Sequence, residues 1–195
     1  MRGRGALSCE KMASGAASRV DVNRPSSGDY DVVVAAPFGA VAVRCDEAAV
    51  IGLYLFSQEL TPTWAVSGFA AQVAAELKAY LMDGSRALML PVRTKGTVFQ
   101  HRVWQRLRRI PPGTRCTYGA LARELGTSAR AIGGACRANP VPLVVPCHRV
   151  VAAAGIGGFA GFVEGGMHAI KGWLLEHERL WLDFAPERAH FQETY

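Results

Sequence analysis

Apolar residues near the start of the chain fall in three short runs: Val32-Val33-Val34, then Val41 and Val43, then Val50, Ile51, Leu53 and Leu55. Runs this rich in β-branched residues, broken by Pro37-Phe38-Gly39 and Cys45-Asp46-Glu47, predict a small antiparallel meander. The period then changes. Phe69, Val73, Leu77 and Leu81 recur every fourth residue. That spacing predicts a helix over residues 67–82, with Ser67 as N-cap and Gly84 beyond its end. Residues 84–96, around Pro91, read as a linker.

A second region follows. Phe99, Val103 and Leu107 again recur every fourth residue, giving a helix that stops at Pro111-Pro112-Gly113. Tyr118, Leu121, Ala122 and Leu125 give a short second helix ended by Gly126. Thr127 or Ser128 caps a third, whose inner face is read as Ala129, Ile132, Gly133 and Cys136, and Asn139-Pro140 closes it. Two short helices about a glycine turn describe a helix-turn-helix or a plain helical hairpin, and the pattern does not separate the two. Gly133 and Gly134 each cost about 1 kcal/mol in a helix interior relative to Ala. A helix that accepts this needs close backbone approach, to another element or to a ligand. Arg130 and Arg137, seven apart, share one face and could meet phosphates together.

The predicted fold is therefore a two-domain α/β (α+β) protein. Residues 29–92 form a small antiparallel sheet with a helix. Residues 93–182 form a mostly helical domain, winged-helix-like where its two short helices make a helix-turn-helix. Residues 1–28, rich in Gly, Ala, Ser and Arg without periodicity, read as a flexible tail, and 183–195 as a C-terminal tail. No apolar run is long enough to span a bilayer, and Arg2 and Arg4 are not followed by the apolar core of a signal peptide.

Charge changes this picture through its distribution. The 195 residues carry a net charge of +6. Residues 93–150 alone hold 11 basic side chains and 1 acidic, whereas residues 29–92 hold 3 and 7. A block of this kind suggests a polyanion such as nucleic acid, although charge alone fits a solvated basic face equally well. The five cysteines, at 9, 45, 116, 136 and 147, are odd in number and lack metal-type spacing. They argue against a disulfide framework and for a reducing compartment.

One cysteine invites a chemical reading. The apolar run Val141 to Val145 ends in Pro146-Cys147-His148-Arg149-Val150. A free thiol has a pKa of about 8.5, so little of it is thiolate at neutral pH. A nearby His can take the proton, and an acid can orient that His. Adjacent residues on a strand point to opposite faces, however, so direct contact is not guaranteed and a bridging water is one solution. On these two residues alone, an inert buried Cys beside an incidental His is the better reading.

The wider motif run alters that balance. Pro146-Cys147-His148-Arg149-Val150 resembles the active-site signature of the O6-alkylguanine-DNA alkyltransferases, also called methylated-DNA–protein-cysteine methyltransferases. Gly96-Thr97-Val98-Phe99-Gln100, Val103-Trp104, Ile110-Pro111-Pro112-Gly113 and Thr117-Tyr118-Gly119-Ala120-Leu121-Ala122 are similar to the stretches before it. Ala129-Arg130-Ala131-Ile132-Gly133-Gly134-Ala135 with Asn139-Pro140 resembles the family's recognition helix. Trp173-Leu174-Leu175-Glu176-His177-Glu178 resembles its closing helix. The resemblance covers about residues 90–180.

It implies a role for each matching residue. Cys147 would be nucleophile and alkyl acceptor, His148 would take its proton through a water, Glu178 would hold His148, and Asn139 would support the site. Tyr118 would help rotate a phosphate and donate to the guanine oxygen. Arg130 would fill the stack left by a flipped base. Thr127, Ser128, Ala129, Gly133 and Arg137 would belong to the helix laid in the minor groove. Backbone groups of Cys147 and Val150 would read the guanine edge, with Phe159 and Ala160 lining the base pocket. The implied partner is double-stranded DNA containing alkylated guanine, met by a monomer in the cytoplasm, or in the nucleus of a eukaryote. No cofactor, metal or membrane enters.

The chain departs from the family pattern once. Lys171 lies twelve residues beyond Phe159 rather than about seven, which reads as an insertion at Phe162–Gly166. Three other functions remain: a non-catalytic binder of alkylated bases, a helix-turn-helix transcription regulator, and a Cys–His hydrolase.

Overall fold

The computed structural model describes residues 30–63 and 68–184, with side chains described as far as Leu180. Ser67, the tail at 1–28 and most of the tail at 183–195 lie outside the described residues. Three antiparallel strands come first: β1 (Val32–Ala36), β2 (Gly39–Cys45) and β3 (Val50–Phe56). They pair in chain order, with Val33 opposite Ala42 and Val41 opposite Leu55. Both faces of this sheet are covered. Val32, Val34, Val41, Val43, Leu53 and Leu55 join the main core, while Val33, Ala40, Ala42 and Phe56 form a smaller cluster with Tyr30, Tyr54 and Leu60. Two buried faces explain why the strands read as continuous apolar runs rather than alternating ones.

The helix α1 (Gly68–Met82) covers the main face, burying Val73, Ala74, Leu77 and Tyr80. The predicted linker is a structured edge. Pro91 O accepts from Val50 N and Arg93 N donates to Val50 O, both at 2.9 Å, and Leu88 and Leu90 are buried. Its extended backbone makes two hydrogen bonds with no sequence period to announce them.

The helical part opens with α2 (Val98–Leu107), whose Thr97 and Gln100 form a reciprocal capping box. A two-residue strand β4 (Cys116–Thr117) leads into α3 (Tyr118–Glu124), and Ser128, not Thr127, caps α4 (Ala129–Arg137). Both expected short helices are thus present, with Gly126 between them in the left-handed conformation at φ 62°. The inner face of α4 differs from the expected one: Ile132, Ala135 and Cys136 are buried, whereas Ala129 is exposed and Gly133 only partly covered. Trp104 of α2 sets this rotation, because its Nε1 donates to Ala135 O at 2.9 Å.

After α4 the chain folds back through Pro140, whose carbonyl accepts from Leu53 N of β3 at 2.9 Å. A strand β5 (Val150–Val151) then pairs in parallel with β4, placing Cys116 opposite Val150. The last element is α5 (Gly166–Phe184). One cluster of buried residues runs from Val32 through Leu90 and Trp104 to Leu174, so the sheet and the helical part share a core. Among the described residues no helix is long and apolar enough to cross a membrane.

Candidate active site

Cys147 and His148 do not lie on a strand. Cys147–Arg149 form a single 3-10 turn, which begins where Cys147 N donates to Val145 O at 2.8 Å. Side chains step by roughly 120° along such a turn. Cys147, His148 and Arg149 therefore leave the backbone in three directions instead of two.

His148 turns inward. Its Nε2 lies 2.9 Å from Glu178 Oε1, and both side chains are fully buried. Its Nδ1 is also buried and has no partner among the described residues. Glu178 is the hub of this layer. Oε1 also accepts from Tyr80 OH at 2.8 Å and Arg149 Nη2 at 2.8 Å, and Oε2 accepts from Arg149 Nε and Gly113 N, each at 3.0 Å. Arg149 Nη1 donates to Ile110 O at 2.5 Å. Burial works against ionising Glu178, but His148 and Arg149 outweigh it and hold the carboxyl well below the usual carboxylate range. Burial pushes His148 down from its ordinary value despite the pull of Glu178, which favours a neutral imidazole.

Cys147 turns the other way, onto the wall of a cavity of about 570 Å³. Asn139 Nδ2 donates to its Sγ at 3.1 Å and to Val145 O at 2.8 Å, while Asn139 Oδ1 accepts from Val141 N at 3.1 Å. One side chain therefore fixes the approach of the whole loop and places a donor on the sulfur. Burial pushes the Cys147 thiol up, and Asn139 and the Lys171 ammonium act against that rise.

The cavity brings together seven of the residues singled out in the sequence: Cys147, Tyr118, Arg130, Gly133, Arg137, Phe159 and Ala160. Thr127, Ser128 and Ala129 lie at the outer end of α4 and do not line it. Val150 is fully buried, and its carbonyl accepts from Lys171 Nζ at 2.6 Å. Among the described residues, an added Cβ at Gly133 or Gly134 meets no atom within 4 Å. Of the two reasons for such glycines, no described element makes the close approach, and approach to a ligand stays.

Lys171 and Arg149 entered the sequence reading only as motif letters, and Tyr80 not at all. Lys171 is completely buried, donates to Val150 O and, at 3.0 Å, to Gly158 O, and sits 5.7 Å from the centre of the Tyr118 ring. Burial pushes its ammonium down to about 8, against the pull of Cys147 and Cys136. Gly158 O also accepts from Tyr118 OH at 3.3 Å. The segment after it makes a tight turn: Phe159 and Phe162 exchange N–H···O bonds at 2.7 and 2.8 Å, with Ala160 and Gly161 at φ 50° and 90°. Phe159 is buried, Phe162 and Val163 stand exposed at the cavity mouth, and α5 already starts at Gly166. The expected insertion at Phe162–Gly166 thus ends in the first residue of a helix. Among the described residues, no group of three or more His, Cys, Asp or Glu is placed to hold a metal ion.

Known proteins carry related sequences. The methylated-DNA–protein-cysteine methyltransferase of Shigella flexneri is 49% identical over 92 residues, 46% of this chain. That match spans about half, 51%, of the relative's length. The constitutive methylated-DNA–protein-cysteine methyltransferase of Bacillus subtilis is 32% identical over 164 residues, covering 78% of this chain and 96% of the relative. The chain belongs to the methylated-DNA–protein-cysteine methyltransferase family. A family profile described as the DNA-binding domain of 6-O-methylguanine DNA methyltransferase matches residues 98–180, the span holding Tyr118, Cys147 and Glu178. A solved family structure, Mycobacterium tuberculosis OGT in complex with DNA, superposes with a TM-score of 0.63 at 30% identity, covering 76% of this chain and 92% of that one.

Proposed function

We propose that this protein repairs DNA by moving the alkyl group of an O6-alkylguanine onto Cys147 Sγ, once per molecule. The observation that carries this reading is the position of the sulfur. It faces a cavity, has a donor from Asn139 on it, and shares its turn with a buried His148 whose second nitrogen has no partner among the described residues.

The chemistry follows from those groups. A water at His148 Nδ1 would carry the thiol proton to the imidazole, while Glu178 holds the other nitrogen and stabilises the imidazolium. The Asn139 donor and the nearby Lys171 charge stabilise the thiolate. Sulfur attacks the alkyl carbon, the carbon–O6 bond breaks, and its electron pair stays on the guanine. Tyr118 donates a hydrogen bond to that oxygen as charge develops on the base, and the proton taken up by His148 returns through water to the guanine. The product is a thioether, and nothing in the site is suited to cleaving it.

The target oxygen is hidden in a duplex, so the base must leave the stack. Helix α4 would lie in the minor groove, its bare Gly133 and Gly134 backbone against the DNA, with Arg130 in the space left by the base and Arg137 at phosphate. We assign this work to residues 93–182, with 29–92 as a supporting sheet domain. Such a protein acts where the chromosome is, in a bacterial cytoplasm or a eukaryotic nucleus.

The test is to mix the protein with duplex containing O6-methylguanine and weigh it. One methyl on the peptide holding Cys147, in stoichiometric yield and without turnover, is expected. Absence of the adduct, or its persistence in Cys147→Ser, would sink the reading. A duplex with O4-methylthymine, run beside it, reports whether the pocket also accepts a pyrimidine.

A further inference from the structure

The cavity that holds the Cys147 sulfur is lined by a second thiol. Cys136 lies on the buried face of α4, three residues after Gly133, and contributes to the same wall. Two hydrogen bonds through one residue tie the cysteines together. Cys136 O accepts from Asn139 N at 3.3 Å, and Asn139 Nδ2 reaches Cys147 Sγ at 3.1 Å. Cys136 also responds to Cys147, and the two share neighbours. Cys147 adds to the upward push that burial gives Cys136, and Lys171 and Tyr118 respond to both sulfurs. The transfer proposed above uses Cys147 and leaves Cys136 unemployed.

We propose that Cys136 is a second alkyl acceptor, which closes a bridge to Cys147 when the transferred group carries a leaving group on its second carbon. The substrate class is an O6-(2-haloethyl)guanine. The inference rests on the transfer to Cys147. In the first step the Cys147 sulfur–carbon bond forms and the carbon–O6 bond breaks, leaving a 2-haloethyl thioether in the cavity. In the second, Cys136 Sγ bonds to the outer carbon as the carbon–halogen bond breaks. The halide leaves with the electron pair, and the Cys136 proton passes to water at the cavity mouth. No oxidant or further reactant is needed. Holding both partners in one pocket makes the second step intramolecular, an advantage that can reach an effective molarity of about 10⁵ M when orientation is good. Water attacking the same carbon has no such placement. The bridge removes a reactive half-mustard before it can turn on DNA or on another protein.

The full-length protein is reacted separately with duplex carrying O6-methylguanine and with freshly prepared duplex carrying O6-(2-chloroethyl)guanine, then digested and sequenced by mass spectrometry. The readout is the fraction of Cys147-alkylated molecules in which the Cys136 and Cys147 peptides are joined, so a change in overall rate does not affect it. With the chloroethyl duplex, at least half of the alkylated protein should gain one two-carbon unit, lose both thiol hydrogens and show the joined peptides. Cys136→Ser and Cys136→Ala should give chloroethyl or hydroxyethyl on Cys147 and no joined peptides. Wild-type protein with hydroxyethyl on Cys147 and free Cys136, or with Cys147 tethered to DNA, overturns the proposal. Absence of methyl transfer from the O6-methylguanine duplex would instead remove the reading beneath it.

Discussion

The Tyr80 hydroxyl, on a helix that belongs to the sheet half of the molecule, donates to Glu178 Oε1 at 2.8 Å. The same oxygen meets His148 Nε2 at 2.9 Å. Burial and the facing carboxylate push the Tyr80 phenol well up, so it stays protonated and remains a donor. The sheet half therefore holds one corner of the acid–base pair that the proposed chemistry uses.

Tyr80→Phe removes that donor and keeps the ring. The Glu178 carboxylate then leans harder on His148, and the His148 pKa rises. Protonated His148 cannot accept the thiol proton, so the acid limb of the single-turnover rate should move to higher pH. Hydrogen bonds to charged groups are worth roughly 1.5–3 kcal/mol, and urea unfolding should register a loss of that size. A rate reduced by the same factor at every pH would mean that Tyr80 only supports the fold.

Lys171 predicts a pH dependence of stability. Its ordinary value is 10.5 and its folded value is about 8. Between those values the unfolded chain binds the proton and the folded chain does not, so stability rises with pH. The contribution is complete above about 10.5, is lost as pH falls, and is fully lost below about 8. The Cys136 and Cys147 thiols, pushed up by burial, act oppositely above their ordinary value of 9.0. Lys171→Met keeps those thiols. The stability of wild type minus that of Lys171→Met, from denaturant curves, should climb between pH 8 and 10.5. A flat difference would show that the ammonium is not desolvated.

These two residues also mark where sequence reading stops. The first three strands and the helices α1 to α4 are local and local patterns reveal them, whereas the two-residue strands β4 and β5 are too short to leave a pattern and the cap was open between Thr127 and Ser128. Cys147, His148, Asn139 and Glu178 stood out because a motif run ties them to a family, not because of their own chemistry. Tyr80 gave no signal in the sequence, since its partner lies 98 positions away. Lys171 served only as a spacing mark after Phe159, and the two carbonyls that hold it, Val150 O and Gly158 O, lie 21 and 13 positions away. The linker failed for a similar reason: Pro91 and Arg93 bond to Val50, and extended backbone pairing leaves no period. The inner face of α4 was rotated by Trp104, a contact 31 residues distant.

Gly134 offers a separation of folding from binding. An added Cβ meets no atom of the described residues within 4 Å, and the position is exposed. Gly134→Ala should therefore raise stability by about 1 kcal/mol, the usual gain within a helix. If the bare backbone lies against DNA, Gly134→Leu should still fold but weaken binding to duplex at least tenfold. Thermal melts and fluorescence titration read the two quantities. A leucine variant with unchanged affinity would place some other surface in the groove.

Arg130 decides whether a base is flipped or merely held. Its side chain is exposed at the cavity rim, so Arg130→Ala should change stability by no more than about 0.5 kcal/mol. As a wedge it acts only when there is a stack to fill. Transfer from O6-methylguanine in duplex should then slow strongly, while reaction with the free alkylated base should slow much less. As a phosphate contact it would instead weaken all duplexes alike and reduce the salt dependence of binding by about one unit of slope. Equal slowing on duplex and free base fits neither role. It would assign Arg130 to the reaction at Cys147 itself, where the rim of the cavity gives it no reacting atom to touch.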